Sequence, residues 1–155
     1  MLSPEEKNEI DEELRHVPVR QSVCLEALKI VQRHRGGWVN DEALADVAAY
    51  VGLSPAALDN VATFYNLIYR KPVGRHVILL CDSVSCWLTG YDEVREHLFS
   101  RLGIGFGQTT PDNRFTLIPI ACLGICDRSP AMMIGADLHT DLTPEKIDGI
   151  LREYE

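Results

Sequence analysis

The chain has 155 residues, the size of one domain or two small ones. Hydrophobic residues make up 46% and charged residues 25%, globular proportions that exclude a disordered or fibrous protein. Lys and Arg number 15 against 23 Asp and Glu, a formal charge of −8 that argues against nucleic acid or an anionic membrane as partner, since both require a basic surface.

No stretch approaches the ~18 consecutive apolar residues of a membrane span. The N-terminus reads MLSPEEKNEIDEEL, which lacks the basic and apolar regions of a signal peptide. A cytoplasmic chain with no direct membrane insertion is therefore expected, and its five cysteines are expected to be thiols rather than disulfides.

The first seventy or so residues read as helices. Ser3-Pro4-Glu5-Glu6 is an N-cap, a Pro at the first helical position and a capping-box Glu. The acidic run Glu5 to Glu13 is expected to be a solvated face. After Pro18, Val23, Cys24, Ala27, Ile30 and Val31 recur at helical spacing up to the stop at Gly36-Gly37. Asn40 caps a short helix ending at Gly52, and Ser54-Pro55 opens another expected to run to about Tyr69. Its Phe64-Tyr65 and Tyr69 stripe reads chiefly as core, part of it being available as a docking face.

The pattern changes near Lys71 to Arg75, where a boundary is placed between residues 1–72 and 73–155. His76 to Cys81 (HVILLC) is a strand, Tyr91 to Leu102 a helix, Phe115 to Ala121 (FTLIPIA) a second strand and Ala131 to Ile134 a third. Thr143-Pro144 caps a closing helix to about Tyr154. The whole is α+β: an N-terminal helical bundle followed by a β-α-β-β-α domain.

Four cysteines form two pairs, Cys81/Cys86 as C-x4-C and Cys122/Cys126 as C-x3-C, separated by 35 residues. Each pair follows a strand. If those strands are parallel neighbours, both loops leave one sheet edge and four thiolates can converge. Structural zinc takes four cysteines but usually from C-x2-C knuckles, whereas the longer loops suit a two-iron cluster with two thiolates on each iron. Reduced structural cysteines remain the third reading. Asp82 to Ser85 offers backbone N–H groups and hydroxyls to such a cluster, and Gly124 permits positive φ. Cys24, on the apolar face of its helix, reads as a buried structural thiol.

With these pairs, VATFY in the helical half, CLGIC, SPAMMIG and LTPEKID, the sequence resembles the thioredoxin-like [2Fe-2S] ferredoxin subunits of the NADH-dehydrogenase module of respiratory complex I. The resemblance runs over nearly the whole chain. It implies a thioredoxin-like second domain and one [2Fe-2S] cluster held by Cys81, Cys86, Cys122 and Cys126. It also implies packing of the helical half on a flavin- and NADH-binding subunit, among other peripheral-arm subunits of an NADH:quinone oxidoreductase at the cytoplasmic side of the inner membrane. A related module serves NAD-linked hydrogenases and formate dehydrogenases. Arg128-Ser129 before Pro130 departs from many members, which carry a small residue such as Ala before the Pro.

Weaker signals add no second site. Gly103 to Gly107 follows a helix and has Gln108 where a dinucleotide fingerprint needs Gly, so it reads as a helix stop and loop. His16, His34, His76, His97 and His139 are scattered and read as surface or capping residues. Trp87 either shields the cluster or simply packs. No nucleophile–base pair or paired carboxylates stand out. The expected chemistry is one-electron transfer at a low potential, in the region of about −400 mV.

Overall fold

A capping box opens the first helix: the Ser3 hydroxyl accepts the Glu6 N–H at 3.1 Å and the Glu6 carboxylate accepts the Ser3 N–H at 2.7 Å. The computed structural model describes residues 1–154 and gathers the chain into two compact units, Met1–Pro72 and Val73–Glu155, each with its own apolar core.

The first unit consists of α1 (Pro4–Leu14), α2 (Cys24–His34), α3 (Asp41–Val51) and α4 (Pro55–Phe64), with a 3₁₀ turn at Arg20–Val23 before α2. Ile10, Leu28, Val31, Val47 and Leu58 are among its fully buried side chains. Asn40 and Ser54 cap α3 and α4 through side-chain oxygens, and Gly52 ends α3 at φ 78°.

Two expectations change here. The acidic face of α1 is not uniformly solvated, because Glu6 is only 2% exposed. Its carboxylate receives Arg35 Nε at 2.8 Å and Nη2 at 3.0 Å, and Arg35 Nη1 also reaches Asp46 at 3.1 Å. Helix α4 stops at Phe64, with Tyr65 extended at φ −89° and ψ 110°. Tertiary hydrogen bonds take over from helical ones: Gln32 donates to the Leu67 carbonyl at 2.9 Å and accepts the Tyr69 N–H at 2.7 Å. Phe64, Tyr65 and Leu67 are therefore 80%, 44% and 48% exposed, not core, while Ile68 is buried.

The second unit holds β1 (His76–Cys81), α5 (Val84–Leu88), α6 (Tyr91–Leu102), β2 (Phe115–Ile120), β3 (Met132–Ile134), β4 (Asp137–His139) and α7 (Pro144–Glu153). The sheet order is β2-β1-β3-β4. Strands β1 and β2 are parallel, from His76 opposite Phe115 to Cys81 opposite Ile120, and the other pairs are antiparallel. Ile78, Leu80, Leu98, Leu117, Met132 and Ile147 are fully buried. Gly74 begins this unit where a Cβ would stand 3.0 Å from the Arg114 carbonyl, and its N–H donates to the buried Thr116 hydroxyl at 2.7 Å. The short α5 and β4 are additions to the expected β-α-β-β-α order; both are too short to show a period.

The Arg35 guanidinium holds the Glu6 carboxyl below the usual carboxylate range, against the opposing effect of burial. Glu6 therefore stabilises the helical unit above its unfolded pKa of ~4.3, and the contribution is lost as pH falls through the lower folded value. Glu6→Gln is expected to reduce stability by about 1.5–3 kcal/mol at pH 7, the usual size for a hydrogen bond to a charged group. Urea unfolding followed by helical circular dichroism should show a clearly smaller deficit at pH 3; equal deficits at both pH values would remove the charge from the explanation.

Candidate metal centre

Parallel pairing of β1 with β2 puts their C-terminal ends at one edge of the sheet, so the segments after Cys81 and after Ile120 emerge side by side. The Asp82 N–H donates to the Ile120 carbonyl at 2.8 Å, and the Cys81 N–H donates to the Ala131 carbonyl at 3.1 Å. This edge therefore gathers three segments: Cys81 to Leu88, Ala121 to Arg128, and the approach to β3.

Cys81 ends β1 and is buried. Cys86 is buried too, because α5 turns it back toward the core. Ser83 precedes α5 at the capping position but makes no capping bond; its hydroxyl lies 3.6 Å from Cys81 Sγ instead. Burial alone would push the Cys81 thiol up. The Ser83 hydroxyl, the Leu123 N–H, Cys86 and the Ser83 N–H outweigh it and bring Cys81 below the usual thiol range. Burial and the adjacent Cys81 push Cys86 up, although the Ser83 hydroxyl and the Ala131 N–H act against them. Cys86 is thus the harder of the two thiols to deprotonate.

Cys122 and Cys126 are both exposed, with sulfurs 3.8 Å apart. Gly124 between them has φ 78°, a conformation side chains rarely adopt, and its N–H donates to Cys122 Sγ at 3.3 Å. The Leu123 N–H aimed at Cys81 comes from this same loop, so the second pair's loop reaches the first pair's sulfur. The sulfurs stand as pairs: among the described residues no three His, Cys, Asp or Glu side chains close on a single point.

The surroundings are tied together by small polar groups. The Thr89 hydroxyl lies 2.8 Å from the Ser85 carbonyl and 2.9 Å from the Ser129 hydroxyl, and Ser129 Oγ reaches the Ser85 carbonyl at 3.3 Å. Ser129 therefore joins the segment after Cys126 to α5, which gives the departure noted in the sequence a structural role. Arg128 pairs with Asp141 at 3.1 Å. Trp87 packs by stacking on Tyr91 at 5.7 Å between ring centroids and donating its indole N–H to Asp82 at 2.7 Å, yet stays 56% exposed.

Sequence reasoning did not find the N–H groups of Leu123 and Ala131 or the hydroxyl of Thr89, because they reach the site only through the tertiary fold. Ser83 was legible, as one of the hydroxyls that the Asp82 to Ser85 stretch offers to the sulfurs. Cys24 belongs to the helical unit, half-buried against that unit's core. Gly103 ends α6 at φ 67°, a helix stop as expected. Of the histidines, His34 faces Glu9 and His97 faces Asp148, while His139 lies 3.1 Å from the Tyr154 hydroxyl.

The model of the family described as "Thioredoxin-like [2Fe-2S] ferredoxin" matches residues 10–155. One NADH-quinone oxidoreductase subunit, that of Pseudomonas aeruginosa, is 44% identical over 154 residues, covering 99% of this chain and 92% of its own. Its namesake in Escherichia coli is 47% identical with the same coverage of both chains. Among solved structures, a chain of an NAD+-reducing [NiFe]-hydrogenase in the air-oxidised state matches with a TM-score of 0.69 at 27% identity. That match covers 82% of this chain and 22% of the hydrogenase chain, so the present chain spans about a fifth of that longer one. Helices and a mixed sheet of four strands make the architecture α+β, and the chain belongs to the thioredoxin-like [2Fe-2S] ferredoxin family.

Proposed function

We propose that this chain is the one-electron carrier subunit of an NADH:quinone oxidoreductase and binds one [2Fe-2S] cluster through Cys81, Cys86, Cys122 and Cys126, beside a flavin- and NADH-binding subunit. The observation that carries this reading is the pairing of four sulfurs on two loops at one sheet edge. It occurs in a chain matched over 99% of its length by proteins named as subunits of NADH-quinone oxidoreductase.

The donor set fits such a group. Two thiolates on one tetrahedral metal, with bonds of about 2.3 Å, stand about 3.8 Å apart. Cys122 and Cys126 have that separation, 3.8 Å. Cys81 and Cys86, both buried and each shifting the other's thiol, form the second pair. A two-iron cluster needs two such pairs, whereas a four-cysteine zinc site draws all four sulfurs round one ion. When bound, the cluster supplies outer-sphere acceptance and release of a single electron.

The chain's own residues set the conditions for it. Backbone N–H groups of Ser83, Leu123, Gly124 and Ala131 point at the sulfurs and offset their negative charge. The core keeps water from Cys81 and Cys86, while Cys122 and Cys126 lie at the surface, where a redox partner can approach. In this reading residues 1–72 and 73–155 are two domains, and the helical one packs on the flavin- and NADH-binding subunit. Among the described residues no helix is long and apolar enough to cross a membrane. Attachment at the cytoplasmic side of the inner membrane then comes through partners. The hydrogenase match supports a second reading, the equivalent carrier of an NAD-linked hydrogenase.

Protein purified anaerobically is expected to be red-brown, with about two irons and two sulfides per chain. It should be EPR-silent as isolated and give one spin-half signal after dithionite. Colourless, zinc-containing protein that stays sulfide-free after anaerobic reconstitution would overturn the proposal. Co-purification with a quinone-reducing assembly or with a nickel-containing one separates the two readings. Cys81→Ser and Cys126→Ser are each expected to weaken or abolish the cluster signal, and a full, unchanged signal in either removes that residue from the ligand set.

A further inference from the structure

A cleft of about 180 Å³ lies in the second unit near the starts of β1 and β2, away from the cysteine-bearing ends. It is lined by Arg101 and Leu102 of α6, Arg114 and Phe115 at the start of β2, and Asp148, Leu151 and Arg152 of α7. Three guanidiniums meet here on a chain whose formal charge is −8.

Their existing partners leave a positive excess. Arg101 Nε lies 3.1 Å from Asp148 Oδ1, an oxygen that His97 also contacts at 3.0 Å. Arg114 Nε is buried and makes no hydrogen bond among the described residues. Asp112 Oδ2 is 3.5 Å from it, and Asp112 Oδ1 already accepts from the Thr110 hydroxyl and the Arg114 backbone N–H. Arg152 makes no ion pair among the described residues. The Arg114 guanidinium is steadied over the Phe115 ring, 5.0 Å from its centroid. Asp148 registers the local field: the His97 hydrogen bond and then the charges of Arg101 and Arg152 hold its carboxyl below the usual range.

We propose that this cleft binds a phosphate-class oxyanion, with Arg114 and Arg152 as its principal partners and Arg101 at its edge. Guanidinium forks match the geometry of phosphate and carboxylate oxygens. A phosphate carries up to two charges and enough acceptor oxygens to serve more than one fork, and a single carboxylate does not. At about 180 Å³ the cleft is smaller than the roughly 300–1,000 Å³ of pockets that enclose drug-sized ligands, so it takes the ion or one phosphoryl group rather than a whole dinucleotide. Phe115 and Leu151 are buried and give it an apolar floor. The site does not depend on the redox proposal.

The test is thermal unfolding of the 155-residue chain, in the metal state in which it is isolated, in low-millimolar inorganic phosphate against chloride at matched pH and ionic strength. A saturable rise in midpoint is expected, because a ligand that binds only the folded state stabilises it by mass action. A general salting effect at these concentrations would not saturate. Acetate should give a smaller rise, and Arg152→Gln and Arg114→Gln should each remove most of the phosphate response. If Arg114→Gln does not fold, the exposed Arg152 supplies the decisive variant. Adenosine monophosphate tested alongside separates the sources: saturation by both assigns a phosphoryl group carried on a larger molecule, and saturation by phosphate alone assigns the free ion. No rise with phosphate, an equal rise with acetate, or an undiminished rise in Arg152→Gln would overturn the site.

Discussion

Parallel pairing of β1 with β2 is the constraint on which the sulfur site depends. Parallel neighbours cannot be joined by a hairpin and need a crossover, supplied here by α5, α6 and the loop to Phe115. The crossover leaves the C-terminal ends of both strands on the same side, and the cysteine loops follow those ends. Register matters equally, since a slip of one residue would turn Cys81 from the core toward solvent. The pairing of Cys81 with Ile120, and the Asp82 N–H bond to Ile120 that continues it, hold the register where the site begins.

The two strands also change exposure in opposite senses along their length. Strand β1 passes from half-buried His76 to buried Cys81, while β2 passes from buried Phe115 to a half-buried and exposed end. That divergence makes the pairs chemically unequal. Cys81 and Cys86 meet a desolvation penalty that protein hydrogen bonds must counter, whereas Cys122 and Cys126 are exposed. In the buried pair the countering is incomplete, so one thiol sits below and the other above the usual range. Were the pair to ligate a metal as proposed, both thiols would have to be deprotonated, and the raised Cys86 would be the costlier of the two. The Ala131 N–H and Ser83 hydroxyl already point at the sulfur that will then carry the charge.

Much of this was legible in the sequence because it rests on local signals. Ser3-Pro4, Asn40, Ser54-Pro55 and Thr143-Pro144 opened helices where side-chain oxygens cap backbone N–H groups. HVILLC and FTLIPI announced strands by length and branching, and the cysteine spacing followed from them. What failed was whatever tertiary contact decides. Gln32, more than thirty residues away, captures the backbone of Leu67 and Tyr69 and ends α4 early. Arg35 draws Glu6 into the interior from a face whose composition reads as solvated. Apolar periodicity misled at Phe64 for the converse reason: a helical pattern states which residues share a face, not that the face has a covering layer.

The same strand pair that delivers the thiols to one edge presents Arg114 at the other. In open sheets with parallel strands, ligands gather at the carboxyl ends, where loops leave the strands, and the cysteines obey that rule. The arginine cleft lies at the opposite end, built from the start of β2 and flanking helices. A strand of six residues at about 3.3 Å each keeps the two roughly 20 Å apart. That exceeds twice the ~8 Å screening length at physiological ionic strength. A charge entering the cleft would therefore be largely screened from the exposed Cys122 and Cys126. Any influence must run through the packing of α6 and α7 on the sheet, by stiffening the scaffold that sets the sulfur positions. One strand pair thus carries a cysteine-bearing end and a basic end as chemically separate features.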